Sequence, residues 1–225
     1  MRRLVLLWVA AAALAGAQTK PDQKEFNLLL DQIRAAVRAE DWPEASRLTM
    51  RLNSTLLSLR ARSQASPLLE LQHLEMLAGK DGITRNPLLP RMARAAFAAG
   101  DWPLAEGLAL ESLEAAKHGV FWWTGDAIHQ GNIILGRLAL RQSKVEDAKR
   151  YLLAAGKTPG SGSLDSLGPS MVLAKDLLDR GETATVLAYL ESCAQFWNGN
   201  RGKLAEWIAL VRAGLTPDFG PNLGY

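Results

Sequence analysis

The sequence predicts an all-α protein, and three observations lead to that class. Apolar residues recur at helical spacing through most of the 225-residue chain. No stretch alternates apolar and polar residues convincingly, as a half-buried strand would. The segment 39–45 (Ala-Glu-Asp-Trp-Pro-Glu-Ala) returns as 99–105 (Ala-Gly-Asp-Trp-Pro-Leu-Ala), and such self-similarity is typical of helical repeats.

The repeated segment predicts a joint at which one helix ends and the next begins. Asp41 and Asp101 are favoured N-cap residues, because the carboxylate accepts hydrogen bonds from the free amides of the next turn. A proline two residues later is tolerated, since the first turn does not use its missing N–H. The small residues Ala45 and Ala105 then allow the two helices to approach closely.

Capping and breaking signals divide the chain into about nine or ten helices. Ser66 and Pro67 start one of them, and glycines at 79, 100, 119 and 156 end others. A loop is predicted over 158–163, and an irregular tail over about 215–225, whose Phe219 suggests that it packs along the last helices. The predicted helices cover about 22–39, 42–63, 67–78, 87–100, 101–117, 124–141, 144–155, 170–180, 182–197 and 203–213.

The joints resemble those of the tetratricopeptide repeat family, in which a Gly-Asp-aromatic turn precedes a packing alanine by three residues. Weaker copies at 142–148 and 180–186 extend the series, and Leu135-Gly136 matches the family's close-packing point. The resemblance implies a right-handed α-solenoid of degenerate helical hairpins, with an inserted helix near 67–78. Residues 131–225 also resemble a module of uncharacterised bacterial proteins. The packing positions, at intervals of 60, 43 and 38 residues, are Ala45, Ala105, Ala148 and Val186.

Residues 1–17 have the pattern of a cleaved secretory signal peptide. A basic start at Arg2 and Arg3 precedes an apolar run over 4–14 and the small-residue cleavage site Ala15-Gly16-Ala17. The run is short for a membrane span, so no stable membrane insertion is expected after cleavage, with an uncleaved anchor as the alternative. The mature chain, 18–225, is predicted to be a single helical-repeat domain, either periplasmic or secreted.

Charge and cysteine content exclude two classes of protein. The chain has 26 basic and 23 acidic residues, and the signal segment holds two of the arginines, so the remainder is close to neutral. A nucleic-acid partner is therefore not predicted. Cys193 is the single cysteine, which excludes an intramolecular disulfide and favours a small buried apolar residue.

Residues around a Phe-Trp-Trp segment form a candidate ligand loop of Trp122, Trp123, Asp126 and His129. Adjacent tryptophans cannot both point inward on a regular element, so one of the two is expected to be exposed. Asp126 and His129 share a helix face, and with His118 they would offer two imidazoles and a carboxylate to zinc. A capping histidine and a first-turn carboxylate explain these residues more simply, so no metal and no cofactor is predicted.

Trp42 and Trp102 belong to the joints and are expected to cover them. The alternative is that tryptophans of this chain form a platform on which a sugar or peptide ligand stacks. The sequence contains no G-x-S-x-G, no P-loop and no Cys/His pairing, so no catalytic residue is assigned. Whether the protein is an enzyme stays open, with a binding protein favoured.

A row of basic residues is the candidate partner-binding site. Arg or Lys stands eleven residues before each packing position, at a place that faces the concave groove in the tetratricopeptide family. The resemblance therefore implies a line of cations suited to an acidic peptide or a terminal carboxylate. Ordinary solvated helix positions are the alternative reading. The row consists of Arg34, Arg94, Arg137 and Lys175.

The favoured hypothesis is an exported scaffold that binds a protein or peptide of the cell envelope in that groove. An exported enzyme or enzyme subunit, acting near 122–129 on a cell-envelope or sugar substrate, is the alternative. A purely structural partner in an envelope complex is the third hypothesis.

Overall fold

The computed structural model describes residues 66–78 and 82–224, together with 28–29, 31–33, 35–36, 38–41, 43–45, 47–48 and 51. The chain divides into two compact units between Met76 and Leu77. The described residues form helices, turns and irregular segments without a β-strand, which confirms the predicted all-α class. The expectation of one domain over 18–225 stays a prediction.

The first unit contains the first joint of the repeated segment. The Asp41 carboxylate accepts the N–H of Glu44 at 3.1 Å, which confirms the predicted N-cap. Helix α1 (Pro67–Leu77) begins directly after Ser66, as the Ser-Pro signal predicts. Apolar residues from both sides of the joint are buried together, namely Leu29, Ala36, Ala45 and Leu48.

The second unit consists mainly of helical hairpins. The pairs α3–α4, α5–α6 and α8–α9 pack against each other, and α5 also contacts α3, α4 and α8. Helix α10 packs on α9. The helices are α2 (Gly82–Arg85), α3 (Leu89–Ala98), α4 (Trp102–Ala115), α5 (Thr124–Arg141), α6 (Val145–Gly156), α7 (Gly162–Ser166), α8 (Val172–Leu178), α9 (Thr183–Cys193) and α10 (Lys203–Arg212).

The four predicted joints share one backbone conformation. In each, a residue with positive φ precedes a residue whose N–H donates to the carbonyl five positions earlier, a pattern that commonly ends helices. The positive-φ residues are Glu40, Gly100, Ser143 and Gly181. The hydrogen bonds, 2.9–3.1 Å long, start from residues 41, 101, 144 and 182. The joints are therefore confirmed, and their packing positions Ala45, Ala105, Ala148 and Val186 are all buried.

The segment 158–163 is tied to its neighbours by hydrogen bonds. Thr158 Oγ1 donates to the carbonyl of Gly125 at 2.9 Å, at the start of α5. Ser161 Oγ accepts the N–H of Leu164 at 3.1 Å and so caps α7, a helix that the sequence did not predict. The loop predicted here is thus shorter than expected, because its hydroxyl groups supply a cap and an anchor.

The tail packs against the second unit, as its apolar residues predict. The ring of Phe219 is buried, with its centroid 5.0 Å from that of Trp207. Asn222 Nδ2 donates to the carbonyl of Pro169 at 2.9 Å, and the carbonyl of Asn222 accepts the N–H of Met171 at 2.8 Å. These bonds join the tail to the start of α8.

Helix α5 is buried along most of its length, and two of its glycines let neighbours approach its backbone. A Cβ on Gly125 would collide with the carbonyl oxygen of Gly160, and one on Gly136 would collide with the side chain of Leu173. The predicted close-packing point at Leu135-Gly136 is therefore confirmed. A substitution at Gly125 is harder to accommodate than one at Gly136, because the backbone carbonyl of Gly160 cannot move aside as the end of the Leu173 side chain can.

Gly125→Ala is expected to lower the free energy of unfolding by about 1–3 kcal/mol, the range for overpacking a filled site. Gly107 on α4 provides the matched control, since a Cβ there meets no atom within 4 Å. Gly107→Ala is expected to raise stability by about 0.5–1 kcal/mol through helix propensity. Urea unfolding measures both. Equal effects of the two substitutions would contradict the close approach at Gly125.

Candidate functional site

Three members of the predicted basic row lie on helices of the second unit, and Arg34 lies outside the described residues. Arg94 is on α3, Arg137 is on α5 and Lys175 is on α8, each with a partly exposed side chain. Helix α5 contacts both α3 and α8. The structure therefore brings at least the helices of these three cations into direct contact.

Arg137 is held on two sides by groups from the neighbouring helices. Its Nε donates to Asp176 Oδ2 at 3.1 Å, and its guanidinium carbon lies 4.5 Å from the centroid of the Phe97 ring. The two side chains of the ion pair are about one third exposed, so this contact is only partly screened by solvent. Arg137 thus connects α5 with both α3 and α8.

Lys175 also has an acidic neighbour, one helical turn away. Its Nζ lies 2.7 Å from Asp179 Oδ2, with both side chains nearly half exposed. Sequence reasoning identified the cations of the row but missed the carboxylates that neutralise two of them. The signal for Asp179 was available, because oppositely charged residues four positions apart on a helix pair readily. The row is therefore less strongly positive than its cations alone suggest.

A second arginine of α5 makes an aromatic contact that the sequence analysis also missed. Arg141 follows Arg137 by one turn, and its guanidinium carbon lies 3.6 Å from the centroid of the Trp102 ring. Trp102 is 42% exposed, so one part of the residue is open to solvent while Arg141 covers another; its predicted position over the joint stays a prediction. Trp42 lies outside the described residues. We call the surface formed by Phe97, Trp102, Arg137, Arg141 and Asp176 the basic surface.

The aromatic loop shows the predicted division between its two tryptophans. Trp122 is 74% exposed, whereas Trp123 is buried and its ring stacks on Phe121 at a centroid distance of 5.2 Å. Thr124 Oγ1 accepts the N–H of Phe121 at 2.8 Å and donates to the carbonyl of Gly119 at 3.2 Å. These bonds fix the loop so that Trp122 projects outward.

His129 is fully buried, and both of its ring nitrogens are engaged by backbone groups. Nε2 accepts the N–H of Ser170 at 3.0 Å, so the proton is on Nδ1, which donates to the carbonyl of Ala155 at 3.1 Å. Burial lowers the pKa of His129 to about 4. The imidazole is therefore neutral near pH 7 and joins α5 to α6 and to the segment before α8.

Asp126 lies half-buried in the first turn of α5. Burial raises the pKa of its carboxyl group, while hydrogen bonds from the hydroxyls of Ser161 and Ser163 act in the opposite direction. Asp126 and His129 are thus on one helix, but Asp126 is partly exposed and His129 is fully buried. His118 is exposed and lies beside Glu114. Among the described residues, no three His, Cys, Asp or Glu side chains are grouped so that they could hold a metal ion.

Cys193 is buried and lies in the main core of the second unit. Burial raises the pKa of its thiol, which keeps it protonated. The prediction of a small buried apolar residue at this position is confirmed.

No protein-family model, no curated protein and no solved structure matches the chain. None of the helices among the described residues has the length and apolar character needed to cross a bilayer.

His129→Gln tests the buried histidine through its effect on acid stability. The unfolded chain binds a proton at His129 near pH 6.5, whereas the folded chain binds it only near pH 4, so acid favours unfolding within this window. Wild type should therefore lose roughly 3 kcal/mol more than the variant between pH 7.5 and pH 4.

Urea unfolding at several pH values measures that difference. The control is His118→Gln, which makes the same substitution at a histidine whose side chain is exposed. Parallel pH profiles for wild type and His129→Gln would show that burial does not suppress protonation at this site.

Proposed function

We propose that the chain is an exported helical-repeat scaffold, a right-handed α-solenoid of tetratricopeptide-like hairpins, that binds an acidic protein or peptide of the cell envelope. Binding occurs on the basic surface and on the adjoining members of the row, Arg94 and Lys175. Export rests on the signal-like residues 1–17. The solenoid arrangement draws support from the common conformation of the joints.

The observation that carries this proposal is the contact of Arg137 with both neighbouring helices. Because Phe97 is on α3 and Asp176 is on α8, the contacts of Arg137 bring side chains from three helices onto one surface. Arg94 precedes Phe97 by one turn of α3 and therefore lies on the same side of that helix. Aromatic rings beside arginines provide both apolar area and carboxylate binding, the combination that is common at protein interfaces.

The alternative, an enzyme acting near 122–129, has less support from the geometry. Both ring nitrogens of His129 are used by backbone groups, so this residue offers no site for proton transfer to a ligand. Trp122 and Asp126 are the partly or fully exposed members of that set. Ligand binding in this region would therefore depend on stacking of the ligand against Trp122, and no catalytic group is assigned there.

Charge reversal at Arg94 and Arg137 is expected to abolish partner capture, because two glutamates would repel an acidic ligand. The mature protein, immobilised, is incubated with envelope extract of the producing cells, and bound proteins are identified by mass spectrometry. We expect Arg94→Glu combined with Arg137→Glu to reduce recovery of wild-type partners at least about tenfold, equivalent to about 1.4 kcal/mol.

The matched control combines Arg150→Glu with Arg212→Glu. These two arginines are exposed, form ion pairs with Asp147 and Glu191, and are not members of the row. Their replacement by glutamate changes the net charge of the protein by the same amount as the Arg94→Glu/Arg137→Glu variant does. Circular dichroism and thermal melting confirm that each variant is folded. Recovery of the same partners in the same amounts by a folded Arg94→Glu/Arg137→Glu variant would refute the proposed function.

A further inference from the structure

We propose that Arg141, stacked on Trp102, is the main carboxylate-binding residue of the basic surface. It is not a member of the row that the sequence predicts. This inference rests on the proposed function and deepens it, because it names the side chain that contacts an acidic group of the partner.

The contact with Trp102 orients the guanidinium group of Arg141 for such a ligand. Its carbon lies 3.6 Å from the ring centroid, which is the distance of a stacked pair. Stacking occupies the face of the guanidinium group and leaves its N–H groups, at the edge, available for a bidentate carboxylate. Stacking also restricts a long side chain before binding, so less conformational entropy is lost when a ligand arrives.

Arg141 differs from Arg137 and Lys175 in its surroundings. Arg137 donates to Asp176, and Lys175 pairs with Asp179, so an incoming carboxylate competes with an internal one at either position. Among the described residues, no carboxylate forms an ion pair with Arg141, and its side chain is exposed. A ligand can therefore bind Arg141 without first breaking an existing ion pair.

The spacing of the two arginines defines the kind of peptide that fits. Residues four apart on a helix have Cβ atoms about 5–6 Å apart. In an extended peptide, side chains two positions apart on one face are separated by about 6–7 Å. An extended acidic segment can thus place one carboxylate on Arg141 and a second one near Arg137, where it competes with Asp176.

The probe for this inference is a fluorescein-labelled hexaglutamate peptide, titrated with the mature protein at low salt and followed by fluorescence anisotropy. Arg141→Gln is expected to raise Kd about five- to tenfold, whereas Arg137→Gln raises it less than about twofold, because Asp176 already neutralises Arg137. The matched control is Arg150→Gln on α6, which also removes one exposed arginine and should leave Kd within about twofold of the wild-type value.

A second pair of variants tests the competition by Asp176. Asp176→Asn is expected to lower Kd about two- to fivefold in the wild-type background and to have no such effect when Arg137→Gln is also present. Asp147→Asn, which removes the equivalent carboxylate of the Arg150 pair, controls for the change in net charge. Thermal melting of every variant confirms that the comparison is between folded proteins.

The outcomes separate this inference from the proposed function. If Arg141→Gln binds the peptide as tightly as Arg150→Gln does, while Arg94→Glu/Arg137→Glu still binds weakly, Arg141 is not the main contact and the binding surface stands. If the charge-reversed variant also binds hexaglutamate as wild type does, the basic surface is not an acidic-ligand site at all, and both proposals fail.

Discussion

The burial of α5 among its neighbours is the constraint on which the second unit depends. Three of its glycines lie against different neighbours: Gly125 against the backbone at Gly160, Gly131 against Leu113 of α4, and Gly136 against Leu173 of α8. A side chain at Gly125 or Gly136 would collide with a neighbour, and one at Gly131 would be a tight contact. The same close packing removes His129 from solvent and requires that its two ring nitrogens find partners within the protein.

Burial of α5 also determines what remains available to a ligand. Most side chains of the helix between Trp123 and Leu140 are buried, and Arg137 and Arg141 are the basic residues that it presents at least partly to solvent. Each of them lies over an aromatic ring from the hairpin α3–α4. Near its C-terminal end, α5 therefore contributes two arginines to a surface whose aromatic rings come from the α3–α4 hairpin.

The features that the sequence predicted well are those with local causes. The caps at Asp41 and Asp101 follow from capping chemistry, since each carboxylate accepts an N–H of the next turn at 3.1 Å. The bounds of α5 follow from helical periodicity, and the opposite exposure of Trp122 and Trp123 follows from side-chain direction. Each of these depends on a few adjacent residues, so a single chain contains enough information to infer them.

The features that escaped prediction depend on how distant helices cross. Arg137 and Asp176 are 39 residues apart, and nothing in their local sequences indicates that they pair. The stacking of Arg141 on Trp102 likewise depends on where the α3–α4 hairpin meets the end of α5. Helix α7 was missed for another reason. One glycine and two serines among its five residues resemble a loop, and the helix is evident only when Ser161 is seen to cap it.

The conformation of the joints is compatible with the unequal intervals between them. Each joint needs one residue with positive φ and one hydrogen bond that spans five residues, and both requirements are met within a single turn of helix. The helices between joints can therefore gain or lose turns, or be separated by a whole extra helix, without altering the reversal itself. A chain built in this way can recur in local structure without a constant period in its sequence.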